Sequence, residues 1–121
     1  MMALCFTDLP IITDMPSITV LRHVVLFAFK PDASPGQCGE ISTEFAALPS
    51  RIPGIIDFEY GVNVSPEGLN DGFSHCFMLS FNTTADRDAY LAHPAHQAFV
   101  ARLGPCLEKS LVIDYWTGDP A

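Results

Sequence analysis

Positive charge is scarce in this sequence. Six Lys and Arg stand against 14 Asp and Glu, a formal net charge of −8 with the histidines neutral. That balance argues against nucleic acid and against an anionic membrane surface as partners, because binding to either rests on neutralising phosphate. Long apolar stretches are missing as well. No uninterrupted apolar run exceeds six residues, the length of Val24–Phe29, whereas a membrane-spanning helix needs about 20. Paired cysteines are also absent: Cys5, Cys38, Cys76 and Cys106 are isolated, with no C-x-x-C, and read as reduced, partly buried thiols. Met1–Met15 contains Asp8 and Asp14 but no basic residue. It therefore lacks the positive n-region of a secretory signal, and a cytoplasmic protein is expected. Charged residues of all kinds make up only 17%, which excludes disorder of the highly charged, core-poor kind.

What is present is the material for one hydrophobic core. The chain has 121 residues, of which 49% are hydrophobic and nine are phenylalanine, a single domain's worth. At this size roughly 65–70% of the unfolded surface is buried on folding, enough for a core without disulfide or metal staples. Residues 1–16 carry two prolines and no clear period and read as an extended or disordered leader. Residues 17–117 read as the domain and 118–121 as a tail.

Period-two patterning marks the strands. Ile18 to Phe29 is rich in β-branched and aromatic residues and stops at Lys30-Pro31-Asp32. One alternating set is His23, Val25, Phe27 and Phe29; the other is Val24, Leu26 and Ala28. Both are apolar beyond His23, so this strand is expected to be covered on both faces. Ser34-Pro35 offers a helix cap and a first-turn proline, and Ile41, Phe45 and Leu48 then repeat at helical spacing. Ile55 to Val64 places Ile56, Phe58, Tyr60, Val62 and Val64 on one strand face. A turn-forming loop, Ser65 to Gly72, leads to a strand over Phe73–Phe81. Thr84 is expected to cap a helix over Ala85–Leu91, which His93-Pro94 interrupts before Ala95–Leu103 resumes. Leu111 to Trp116 is the last strand.

The order β-α-β-β-α-β is the α+β, ferredoxin-like arrangement: a four-stranded antiparallel sheet with its helices on one face. The other sheet face would remain open in a monomer. With both faces apolar, a homodimer packing sheet against sheet, a dimeric α/β barrel, is the expected solution.

The polar groups that interrupt this apolar pattern are the candidates for chemistry. His23 and His75 sit in phase with apolar strand faces, on strands that neighbour each other in this topology. Each serves either as a packed core or rim residue or as one of two imidazoles sharing an apolar space. Tyr90-Leu91-Ala92-His93-Pro94-Ala95-His96 is the densest polar cluster. The proline disfavours helical backbone at His93, which suits a capping or surface role. His96 falls in the first turn of the resumed helix, where unpaired N–H groups disfavour the imidazolium; a neutral imidazole there is a candidate base. Asp114 either orients a histidine or serves as an edge carboxylate. His93 and His96 have no surrounding ligand cluster and a proline between them, so no metal site is expected.

Taken together, several segments resemble the stress-responsive dimeric α/β-barrel (Dabb) family. They are His23-Val24-Val25-Leu26-Phe27, Gly61-Val62-Asn63-Val64-Ser65-Pro66-Glu67-Gly68, Gly72-Phe73-Ser74-His75, Tyr90-x-x-His93-Pro94-x-His96 and Asp114-Tyr115. The resemblance spans about residues 18–116. It implies a ferredoxin-like fold and sheet-to-sheet dimers. It also implies, through a plant polyketide cyclase branch that works without cofactor, a catalytic His96 and Tyr90. His23, His75 and Asp114 are the implied substrate-binding residues, among Phe27, Phe45, Phe77 and Phe99. Ser42 and Leu107 stand where that branch is expected to carry larger aromatic residues, which points away from the same substrate. The expected activity is a cofactor-free lyase, cyclase or isomerase acting on a small carbonyl or aromatic compound. In the competing expectations the protein is a non-catalytic stress-response dimer whose cavity is filled by side chains, or a binding module without chemistry.

Overall fold

The structure, a computed structural model, describes residues 19–118; the expected leader at 1–16, Cys5 and the last three residues of the expected tail lie outside the described residues. Seven elements follow in order: β1 (Leu21–Phe29), α1 (Pro35–Ala47), β2 (Ile55–Val62), β3 (His75–Phe81), α2 (Thr84–Ala92), α3 (Pro94–Leu103) and β4 (Leu107–Trp116). Short 3-10 turns close α1 and α3. The strands form one antiparallel sheet in the order β2-β3-β1-β4.

Local chemistry explains each helix start. The Ser34 hydroxyl accepts from Gln37 N at 3.1 Å while the Gln37 side chain accepts from Ser34 N at 2.8 Å, a reciprocal cap with Pro35 at the first turn. Helix α2 is capped by Thr83, not by the expected Thr84, through Asp86 N at 3.0 Å. Thr83 has extended backbone, which a cap residue requires. Pro94 opens α3, and His93, extended between the two helices, caps it by accepting from Ala95 N at 3.0 Å.

The helix-covered face of the sheet carries Leu21, His23, Val25 and Phe27 of β1, all nearly inaccessible. Opposite them in register stand Phe81, Leu79, Phe77 and His75 of β3. Phe45 of α1 stacks on Phe77 at 4.5 Å and meets Phe99 of α3 at 4.8 Å. Leu48 and Ile52 complete this core.

Three boundaries depart from the sequence pattern. A register shift between Ile55 and Asp57 puts Ile55 opposite Phe81, so Ile55 packs on the core and Ile56 is 48% exposed. A bulge restarts the alternation, which a strict period-two reading misses. Strand β3 begins at His75, leaving Phe73 in the loop, where Lys109 lies 4.7 Å over its ring. Strand β4 begins four residues early, at Leu107. Its polar opening pairs with Phe27 and Ala28 through Ser110 and Lys109, as an edge strand permits.

The other sheet face is only partly covered in this chain. Val24 and Leu26 are half-buried, and Leu111, Ile113 and Tyr115 are 42%, 55% and 46% exposed. The expectation that β1 is covered on both faces is therefore met on the helix side alone.

Candidate active site

The break between α2 and α3 positions the site. Because Pro94 follows it, His93 is extended (φ −67°, ψ 139°), and the chain turns so that Tyr90, at the end of one helix, and His96, at the start of the next, share a space. Their ring centroids lie 4.6 Å apart. Both line a cleft of about 410 Å³ between these helices and β1 and β4, with His23, Asp114, Phe27, Phe45 and Phe99 among the other lining residues.

Hydrogen bonds fix the tautomers. His96 Nδ1 lies 3.1 Å from the Leu91 carbonyl. A carbonyl only accepts, so Nδ1 carries the hydrogen and Nε2 keeps its lone pair. His23 Nδ1 lies 2.8 Å from Asp114 Oδ1, and Arg87 Nη1 donates to Asp114 Oδ2 at 2.8 Å. His23 and Asp114 are cross-strand partners on the same face, so the sheet register itself makes this pair.

Burial sets the protonation of the two central groups. It pushes the Tyr90 phenol well above its usual range; the residue is 1% exposed, and the phenol stays a proton donor at neutral pH. Burial also lowers His96 below the ordinary imidazole value, partly opposed by the Leu91 carbonyl and assisted by nearby His23. A neutral His96 was expected from its place at a helix start; loss of solvent is the leading cause.

Two expected members stand elsewhere. His75 is paired with Phe27, two pleats along from His23 and its partner Leu79, a separation of roughly 13 Å at strand spacing. It lines a separate groove of about 690 Å³ with Tyr60, Val62, Leu69 and Phe73, and burial lowers its pKa. The shared imidazole space expected for His23 and His75 is not formed, because adjacent strands bring together residues in register and these two are not. Phe77, wholly buried, is not among the cleft's lining residues and packs against Phe45, which is. Of the positions departing from the cyclase pattern, Leu107 lines the cleft, while the Ser42 hydroxyl turns back to the Cys38 carbonyl at 3.0 Å. Sequence reasoning missed Arg87 and Asp88, which also line the cleft. Their signal was weak: two charges among several on an exposed helix start, singled out only when Arg87 of α2 bonds Asp114 of β4 and Asp88 beside it.

A ferredoxin-like sheet with a cleft gripped between its helices defines a class of small α/β-barrel domains, and comparison with known proteins narrows it. The sequence model described as "Stress responsive A/B Barrel Domain", Dabb, matches residues 21–117. The chain is 37% identical to the stress-response A/B barrel domain-containing protein HS1 of Arabidopsis thaliana over 78% of its own length and 87% of that protein's. It is 26% identical to olivetolic acid cyclase of Cannabis sativa, over 78% and 94% of the two chains. Among solved structures, a hydroxynitrile lyase from Passiflora edulis superposes with a TM-score of 0.79 over 87% of this chain and 99% of that one, at 24% identity. A ferredoxin-like protein from Jannaschia sp. CCS1, described as dimeric, gives 0.70 over 79% and 97%, at 25% identity. The chain belongs to the Dabb, stress-responsive A/B barrel domain, family.

Proposed function

We propose that this protein is a cofactor-free lyase or cyclase acting on a small carbonyl or aromatic compound, with His96 as general base and Tyr90 as hydrogen-bond donor. The observation that carries the reading is the convergence of a neutral imidazole and a protonated phenol on one open cleft. The packed interior of Phe27, Phe45, Phe77 and Phe99 is what a purely structural dimer would have; the cleft left open beside it favours the catalytic reading. Likeness to olivetolic acid cyclase supports the class of chemistry.

In the reaction, His96 Nε2 removes a proton from the carbon beside a carbonyl, and the electron pair of that C–H bond moves onto the carbonyl oxygen. The Tyr90 hydroxyl donates to the enolate oxygen as its charge develops. The enolate carbon then attacks a second carbonyl of the same molecule, or expels a leaving group. Either way, the imidazolium returns its proton to the oxygen or group that takes up the electron pair. General-base catalysis of this kind contributes about 10²–10⁴-fold, so His96→Ala and Tyr90→Phe should each cost about 10²-fold or more in turnover of β-diketone substrates with an unchanged circular dichroism spectrum. Unchanged turnover in folded variants would overturn the assignment.

The active form is proposed to be a homodimer. Leu111, Ile113, Tyr115, Val24 and Leu26 form an apolar surface on the helix-free side of the sheet, and the likeness to a dimeric ferredoxin-like protein supports pairing there.

A further inference from the structure

The cleft carries one permanent cation and two carboxylates, Arg87, Asp88 and Asp114, a sum of −1 when both imidazoles are neutral. Arg87 is paired with both carboxylates: Nη1 donates to Asp114 Oδ2 at 2.8 Å and Nε to Asp88 Oδ1 at 3.0 Å. Asp114 holds His23 Nδ1 through its other oxygen at 2.8 Å. The three side chains run from the rim to the floor of the cleft, with Arg87 and Asp114 23% exposed and His23 5%.

This arrangement controls where a proton resides. A carboxylate facing an imidazole by itself stabilises the imidazolium; one already neutralised by a guanidinium does so much less. Beyond Asp88, which lines the same cleft and is paired to Arg87, the groups around His23 add no negative charge. Tyr90 of α2 lies 5.7 Å from its ring and Phe81 of β3 6.4 Å; Leu79 stands opposite it in register, and His96 of α3 shares the cleft.

We infer that Arg87 is a positioning residue that sets the charge of the cleft: by clamping Asp114, which it shares with His23, it weakens the hold of that carboxylate on an imidazolium, and the cleft, whose cation is already paired, takes an uncharged carbonyl or phenolic compound in preference to its carboxylate analogue. The inference deepens the proposed function and rests on it for the cleft being a ligand site. A carboxylate ligand would enter a space of net negative charge whose only cation is committed to two aspartates. Replacing Arg87 by an uncharged residue leaves Asp114 free to favour the imidazolium of His23.

The test is an NMR titration of the imidazoles in the wild type, R87M, R87Q and R87K. In R87M and R87Q, His23 takes up its proton at a pH higher by about one unit; R87K, which keeps the charge, restores the wild-type titration. A mere packing role for Arg87 would be mimicked by Met, and would leave His23 unmoved. The same spectra then follow binding of 2,4-dihydroxyacetophenone and 2,4-dihydroxybenzoate. The wild type is expected to favour the uncharged compound several-fold; R87M, in which at most one imidazole proton replaces the lost cation, should keep or widen that preference, and a reversal there would overturn the charge argument. An unchanged His23 titration in folded R87M and R87Q would overturn the clamp. Equal binding of both compounds by the wild type, or binding of neither, would overturn the selectivity. Binding of neither, with the His23 shift intact, would count against the ligand-site reading itself and leave the clamp supported.

Discussion

At the scale of single residues, the half-buried histidines link solvent exclusion to acid sensitivity. His96 and His75 both bind a proton less readily in the fold than in the unfolded chain, chiefly because burial penalises the imidazolium. Between their lowered values and the ordinary value of about 6.5, the unfolded chain holds more protons than the native one, so stability rises with pH there. The contribution is complete above about pH 6.5 and is lost as the pH falls through the lowered values. The melting temperature should therefore be flat between about pH 7 and 8 and decline on acidification, with a shallower decline in His96→Gln. Thermal scans between pH 5 and 8 check this; a melting temperature that rises on acidification would show that the two imidazoles are stabilised as cations.

At the scale of elements, caps and registers do the positioning. Thr83 satisfies a free N–H at the start of the helix that carries Arg87 and Tyr90, so Thr83→Ala should cost about 1 kcal/mol in chemical denaturation, with Thr83→Ser close to neutral. This is also the scale at which the sequence was most and least readable. Helix α1 was legible from its cap, its proline and the Ile41, Phe45, Leu48 spacing, since each is a local signal. The turn at His93-Pro94 was legible for the same reason; that Tyr90 and His96 act together was implied only by the family resemblance. Bulges were not: the extra residue near Ile56 answers to pairing with β3, which no local pattern records. The polar opening of β4 was hidden because an edge strand can carry Glu108 and Lys109 without a second sheet neighbour to exclude them. Among candidate site residues, His23 with Asp114 and the separation of His75 were matters of register, fixed only when the strands align.

At the scale of the whole molecule, β4 serves two surfaces at once. Ser110, Val112 and Asp114 look toward the cleft, while Leu111, Ile113 and Tyr115 look toward the open side of the sheet. If that open side is the dimer contact, Ile113→Asp should yield monomers at concentrations where the wild type is dimeric, as read by sedimentation velocity. A variant that sediments like the wild type would place the contact elsewhere. The two-sided strand also bears on which genetic changes the protein can survive. A substitution in β4 alters one surface and spares the other. Loss or gain of a single codon would exchange them, turning Asp114 outward and Ile113 into the cleft. In a library of one-codon insertions and deletions, β4 should be among the least forgiving stretches, and the turn-rich loop between β2 and β3 among the most.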